Sequence, residues 1–232
     1  MQDMIDMLMT YIHLLPDVFA VQQLSREIHL WTRLVPQRRF NRILQRFFDG
    51  SLARFVTVMH ETGSVITGSC ALNMLLGDSY NSSSSDLNLI VPHRKFSEMV
   101  TFLKKEAGYI DSDIEERPHS SVASSCSRFR RYHKQNRSIT LSQTSVTGPL
   151  RTIVCGNTSA DMTFMTGGGL ATLYPDFTQR DSHGRVSLPS NFTHSVHSTS
   201  DGMLSDSFTI FWESFMNLPP INNLLMRPND SR

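Results

Sequence analysis

This sequence is short of cysteine, of charge and of long apolar runs. Its three cysteines, Cys70, Cys126 and Cys155, are odd in number, widely spaced and form no CxxC pair. That pattern argues against a disulfide framework and a cysteine-built zinc site, and for a reducing compartment, cytoplasmic or nuclear. No stretch reaches the ~18 uninterrupted apolar residues of a membrane span, so no membrane association is expected. The opening MQDMIDMLMTYIHLLPDVF carries Asp3 and Asp6 where an export signal is positively charged, and no small-residue cleavage site follows. An intracellular protein is the expectation. The triplets Asn136-Arg137-Ser138 and Asn191-Phe192-Thr193, which match the glycosylation pattern, then carry little weight.

A net charge of +1, from 22 basic and 21 acidic residues, excludes a globally basic nucleic-acid binder and an acidic solvating tail. What is abundant is serine, at 30 of 232 residues. A chain of this length buries about 70% of its unfolded surface, enough for a core without staples. The neutrality is an average. From Arg117 to Ala160 there is no acidic residue, while Arg117, Arg128, Arg130, Arg131, Lys134, Arg137 and Arg151 are basic.

Coarse periodicity predicts a helix from Asp17 through Leu34, with Val21, Leu24, Ile28 and Trp31 on one face and Pro36 as its breaker. A second helical pattern runs from Phe40 to Met59, kinked or divided at Gly50. Both are amphipathic and are expected to pack on the core; a helix pair recruiting a protein partner is the alternative. Ser64–Thr67 reads as a strand, Gly68-Ser69 as a turn, Cys70–Leu76 as a short helix and Asp86–Val91 as a strand. Residues His93–Ala107 read as a helix closed by Gly108. Further strands are expected at Ser127–His133, Ser138–Ser142, Arg151–Cys155 and Gly169–Tyr174, with a short helix over Ser159–Thr166 and a last helix over Ser207–Asn217. The division expected is a helical lead over residues 1–38, a main domain over 39–217 and a flexible tail over 218–232.

The informative passage is ETGSVITGSCALNMLLGDSYNSSSSDLNLIVP. Its order of strand, Gly-Ser turn, short helix and acid-led strand resembles the signature of the nucleotidyltransferase superfamily, that of polymerase beta and the poly(A) polymerases. The ordered set of segments over roughly residues 40–215 is similar to a group of proteins of mushroom-forming fungi, in which such a core follows a helical or F-box-like segment. The resemblance implies an α+β domain: a small mixed β-sheet flanked by helices, with a helical N-terminal segment. It also implies a nucleotide site at Gly68 and Ser69, where glycine lets the backbone approach phosphates and helix-terminal N–H groups bind them. Asp86 becomes the catalytic candidate, and Asp86 with Asn88, at i and i+2 on one face, the metal candidates. Mg²⁺ would be the cofactor if the domain were active.

Two departures argue against activity. Asn88 stands where a second carboxylate belongs, and Ser138–Ser142 holds no third one. Asp161 is the nearest spare acid. The four serines Ser82–Ser85 lengthen the loop before Asp86. The reading is therefore a catalytically degenerate domain that binds a nucleotide, nucleic acid or protein partner. An active enzyme using Asp86 and a pure interaction module remain open. Arg128, Arg130, Arg131, Lys134 and Arg137, interleaved with Phe129 and Tyr132, are a candidate phosphate or nucleic-acid patch, or a solvated strand face. Gly167-Gly168-Gly169 reads as a turn, and His183, His194 and His197 as loop residues.

Overall fold

A computed structural model describes residues 12, 15–32, 34–77, 86–112, 123–145, 148–155, 161–173 and 208–211. The serine run, the histidines His183, His194 and His197, Arg117, and the tail over 218–232 lie outside them.

Among the described residues four helices lead into the sheet: α1 (Leu15–Gln22), α2 (Arg26–Thr32), α3 (Val35–Gln45) and α4 (Leu52–Thr62). The single helix expected from Asp17 is two. Ser25 Oγ accepts the N–H of Ile28 and starts α2 afresh, as a serine cap does. Pro36 opens α3 rather than ending α2, because proline lacks an N–H that the first turn would leave unpaired anyway. Gly50, at φ 72°, separates α3 from α4.

The strands are β1 (Val65–Thr67), β2 (Asp86–Val91), β3 (Ile110–Asp111), β4 (Cys126–Lys134), β5 (Arg137–Thr144), β6 (Thr163–Met165), β7 (Leu170–Leu173) and β8 (Phe208–Phe211). They form one sheet in the order β3-β4-β5-β2-β1-β6-β7-β8. Only the β2–β5 pairing is parallel among the described strands. Helix α5 (Ser69–Leu76) joins β1 to β2, α6 (Phe96–Thr101) runs on into a π-helical turn over Phe102–Glu106, and α7 (Leu150–Val154) follows β5. The fold is mixed α and β with a mixed sheet, as expected, though the sheet is wider than the small one anticipated.

Alternation divides the sheet into two faces. Leu87, Leu89, Val91, Ile139, Leu141 and Tyr132 point to the helices and form the main core with Leu44, Phe47, Phe48, Phe55, Met59, Met74 and Phe102. Phe48 stacks on Phe55 at 3.8 Å between centroids, tying the end of α3 to α4. Phe19 of α1 packs against this core. On the other face Val65 and Ile90 meet Ile153, Met162 and Leu173 in a smaller cluster. Among the described residues no helix is long and apolar enough to cross a membrane.

Three expected elements differ. Arg151–Cys155 is not a strand: α7 occupies Leu150–Val154, with Pro149 at its N-cap position. Residues Thr163–Met165, expected in a helix, are a strand paired between β1 and β7. Phe208–Phe211, expected to open a helix, pairs as an edge strand with Leu170–Leu173. In each case sheet pairing or burial against a neighbour outweighs local propensity.

Candidate functional site

Asp86 and Asn88 project from the face of the sheet opposite the main core. Asp86 lies beside Ser138 and Asn88 beside Thr140 on parallel β5. One strand further, His133 pairs with Ser138 and Arg131 with Thr140. On the other side Thr67 of β1 pairs with Asn88. These register positions share one face, so the side chains around Asp86 are an amide, hydroxyls, an imidazole and a guanidinium. Arg131 Nη2 lies 3.7 Å from Asp86 Oδ2, with 29% and 43% of the two side chains exposed. At that distance the contact is an ion pair rather than a hydrogen bond.

Gly68 makes the turn from β1 into α5 with φ 72° and ψ −147°, a region that only glycine enters readily. A Cβ at this position would lie 2.7 Å from Asn88 Nδ2. The Asn88 amide therefore packs directly over the turn. Ser69 begins α5, and next to it the Cys70 Sγ lies 3.6 Å from the Asp86 carbonyl oxygen. Burial pushes the Cys70 thiol up to about 11, against the pull of the Arg46 guanidinium and of hydrogen bonds to Arg46 and Ser69. Cys70 stays a thiol at neutral pH, which is the wrong state for a nucleophile.

This donor set does not fit a pair of divalent metals. Among the described residues it offers one carboxylate, an amide and the hydroxyls of Thr67, Ser138 and Thr140, with a guanidinium already beside the carboxylate. Mg²⁺ favours carboxylates and phosphates. Asp161 lies just before β6, two strands from β2 and so about 10 Å away at ordinary strand spacing. Among the described residues no three histidine, cysteine or carboxylate side chains come together as a metal site would require.

The basic run on β4 and β5 is divided between the two faces. Alternation places Arg131 beside Asp86 and sends Arg128, Arg130, Lys134 and Arg137 to the helical side. There each meets a protein group. Arg128 lies over the Phe96 ring at 5.5 Å, Arg130 Nη1 donates to Asp111 Oδ2 at 2.6 Å, and Lys134 Nζ donates to the Ala107 carbonyl at 2.8 Å. Arg137 Nη1 donates to Asp49 Oδ2 at 2.5 Å. Tyr132 is fully buried and its hydroxyl is pushed up to about 12, chiefly by burial, so it forms no stacking platform. These residues stitch the sheet edge to α6 and to the α3–α4 turn. The three glycines Gly167–Gly169 form the β6–β7 turn, where Thr166 Oγ1 accepts the N–H groups of Gly168 and Gly169.

A second basic run lies outside the strands. Between Glu27 and Asp49 there is no acid, while Arg33, Arg38, Arg39, Arg42 and Arg46 are basic. The apolar periodicity of that segment draws attention to its buried face. Arg39 belongs to that face and donates to the Met74 carbonyl at 3.1 Å. Arg38, Arg42 and Arg46, at i, i+4 and i+8, line the outer flank of α3 and its end instead. Compared with known proteins, the chain matches no family model, no curated protein and no solved structure.

Proposed function

We propose that this chain is a catalytically degenerate nucleotidyltransferase-like domain that binds a nucleotide through its phosphates without transferring it. The observation that carries the reading is the Arg131–Asp86 ion pair. Where the superfamily's signature calls for carboxylates holding metal, this chain places the Arg131 guanidinium against Asp86, with the amide of Asn88 over the Gly68 turn. The strand, Gly-Ser turn, helix and acid-led strand, with β2 parallel to β5, support the fold resemblance. Arginine is suited to phosphate, which it grips through paired N–H donors without needing a metal. The N–H groups opening α5 at Ser69 favour the same ligand. A reading as a protein-interaction module draws on Leu24 and Leu30 of the N-terminal helices, which are 71% and 48% exposed.

The test exposes the full chain to ATP, GTP, CTP and UTP, with and without Mg²⁺ or Mn²⁺, followed by thermal shift and by transfer of labelled nucleotide. A shift with at least one nucleotide and no transfer is expected. No shift with any of them overturns nucleotide binding. Transfer that disappears in Asp86→Ala makes the domain an active enzyme.

A further inference from the structure

We propose that Cys126 and Cys155 are a reversible redox pair, which hydrogen peroxide closes into a disulfide that fixes α7 to the sheet. Both are half-buried free thiols, one opening β4 and the other at the end of α7. The pair is independent of any nucleotide at Asp86.

A bulge brings the two cysteines to one face of the sheet. Strict alternation would put Cys126 with Arg128 on the main-core side of β4. The register instead shifts between them: Arg128 pairs with Gln143, but Cys126 pairs with Thr144. Such a bulge re-aims a side chain, here to the face of Ser142 and Thr144. The Cys126 thiol is accordingly hydrogen-bonded to the side chains of Ser125 and Ser142.

Helix α7 covers the same face. Its Ile153 meets Ile90, whose register partner on β5 is Ser142. The Thr152 hydroxyl lies 3.4 Å from the Ser125 carbonyl oxygen and ties α7 to the start of β4. Cys126 follows Ser125 directly. Cys155 stands at i+3 from Thr152, and its N–H still bonds the Arg151 carbonyl, so it lies on the same side of the helix. Each cysteine therefore adjoins one partner of that contact, and the two thiols are near enough to act on one another electrostatically. Cys70 stands apart, in the main core on the opposite face.

Burial pushes the Cys126 thiol up, so the first attack falls to Cys155. Its thiolate forms an S–O bond to the peroxide, the O–O bond breaks, and hydroxide leaves and takes up a proton as water. The product is a sulfenic acid. Cys126 then gives up its proton and attacks that sulfur. The S–S bond forms, the S–O bond breaks, and the second oxygen leaves as water. Two thiols are oxidised by one electron each, and one peroxide is reduced to two waters. A dithiol reverses the step by exchange. In a reducing compartment such a bond is transient rather than structural.

The test treats the full chain with hydrogen peroxide, unfolds it, and labels the remaining thiols with iodoacetamide. Labelled cysteines should fall from three to Cys70 alone, with the tryptic peptides of Cys126 and Cys155 joined. Closing a loop of about thirty residues should raise the melting temperature by about 5 °C or more. Dithiothreitol should restore both labels and the original temperature. Cys126→Ser and Cys155→Ser should each lose the shift, and Cys70→Ala should keep it. If a serine variant does not fold, the peptide map of the wild type decides alone. Retention of all three labels, a link through Cys70, links only between two chains, or separate sulfinic acids on Cys126 or Cys155 overturns the proposal. So does a linked form that melts below the reduced protein, because sulfurs poised by the fold join without distortion.

Discussion

Arg131 reaches diagonally over strand β5 to set its Nη2 3.7 Å from Asp86 Oδ2. The two residues come from strands that do not touch, β4 and β2, and Thr140 and Ser138 lie between them. The pair is partly exposed, so its contribution to stability is modest. A double-mutant cycle over Arg131→Ala and Asp86→Ala is expected to give a coupling of about 0.5 kcal/mol, and no more than about 1 kcal/mol. Chemical denaturation of the four proteins measures it. Additive effects would show that the two side chains do not interact in solution.

Gly68 is held by two constraints. Its φ and ψ favour glycine, and any Cβ would collide with the Asn88 amide. Gly68→Ala is expected to cost about 2–3 kcal/mol, the sum of backbone strain and the clash. Adding Asn88→Ala should recover part of that loss, because it removes the clash and leaves the strain. If the second substitution recovers nothing, the amide does not pack on the turn.

The thiol of Cys70 gives a dependence on pH. Its folded value near 11 exceeds the ordinary 9 because the buried site disfavours the thiolate. The stability this contributes is intact below pH 9 and is lost as pH rises through 11. The melting temperature of the wild type should therefore fall more between pH 9 and 11 than that of Cys70→Ala. Tyr109 and Tyr132, both raised to about 12 by burial, add their own decline above pH 10 in either protein. At pH 8 Cys70 should resist a thiol reagent until the protein unfolds.

Arg128, Arg130, Lys134 and Arg137 bind the protein to itself. Single substitutions to glutamine are expected to lower stability by up to about 1 kcal/mol each and to leave nucleotide binding unchanged. Calorimetry of the variants, with and without nucleotide, checks both. A variant that binds nucleotide tenfold more weakly would return its residue to the ligand site.

Much of this arrangement was legible in the residues. Val65–Thr67, the Gly68-Ser69 turn, Ser69–Leu76 and Asp86–Val91 were readable because local punctuation and hydrophobic period agree there. The basic run misleads for a reason that its own strand pattern contained. Neighbours such as Arg130 and Arg131 must face opposite ways, so a cluster in sequence is not a cluster in space. Thr152, Ile153 and Val154 are β-branched and read as a strand, yet Leu150–Val154 forms a helix whose Ile153 fills the smaller core. Phe208–Phe211 gains its strand from pairing with Leu170–Leu173, a contact about forty residues away that no local window contains. The α3 arginines were visible at i, i+4 and i+8, but the same helix's strong apolar face dominates its pattern.

On the proposed reading, arginine rather than metal supplies the positive charge at this site. Calorimetric titration of the best-shifting nucleotide into wild type and Arg131→Ala, in EDTA and then in Mg²⁺, tests it most directly. Wild-type affinity is expected to be the same within a factor of about two in both buffers, and Arg131→Ala to lose about tenfold, the worth of one charge-assisted contact. Binding by the wild type only in Mg²⁺, or undiminished binding by Arg131→Ala, would contradict it.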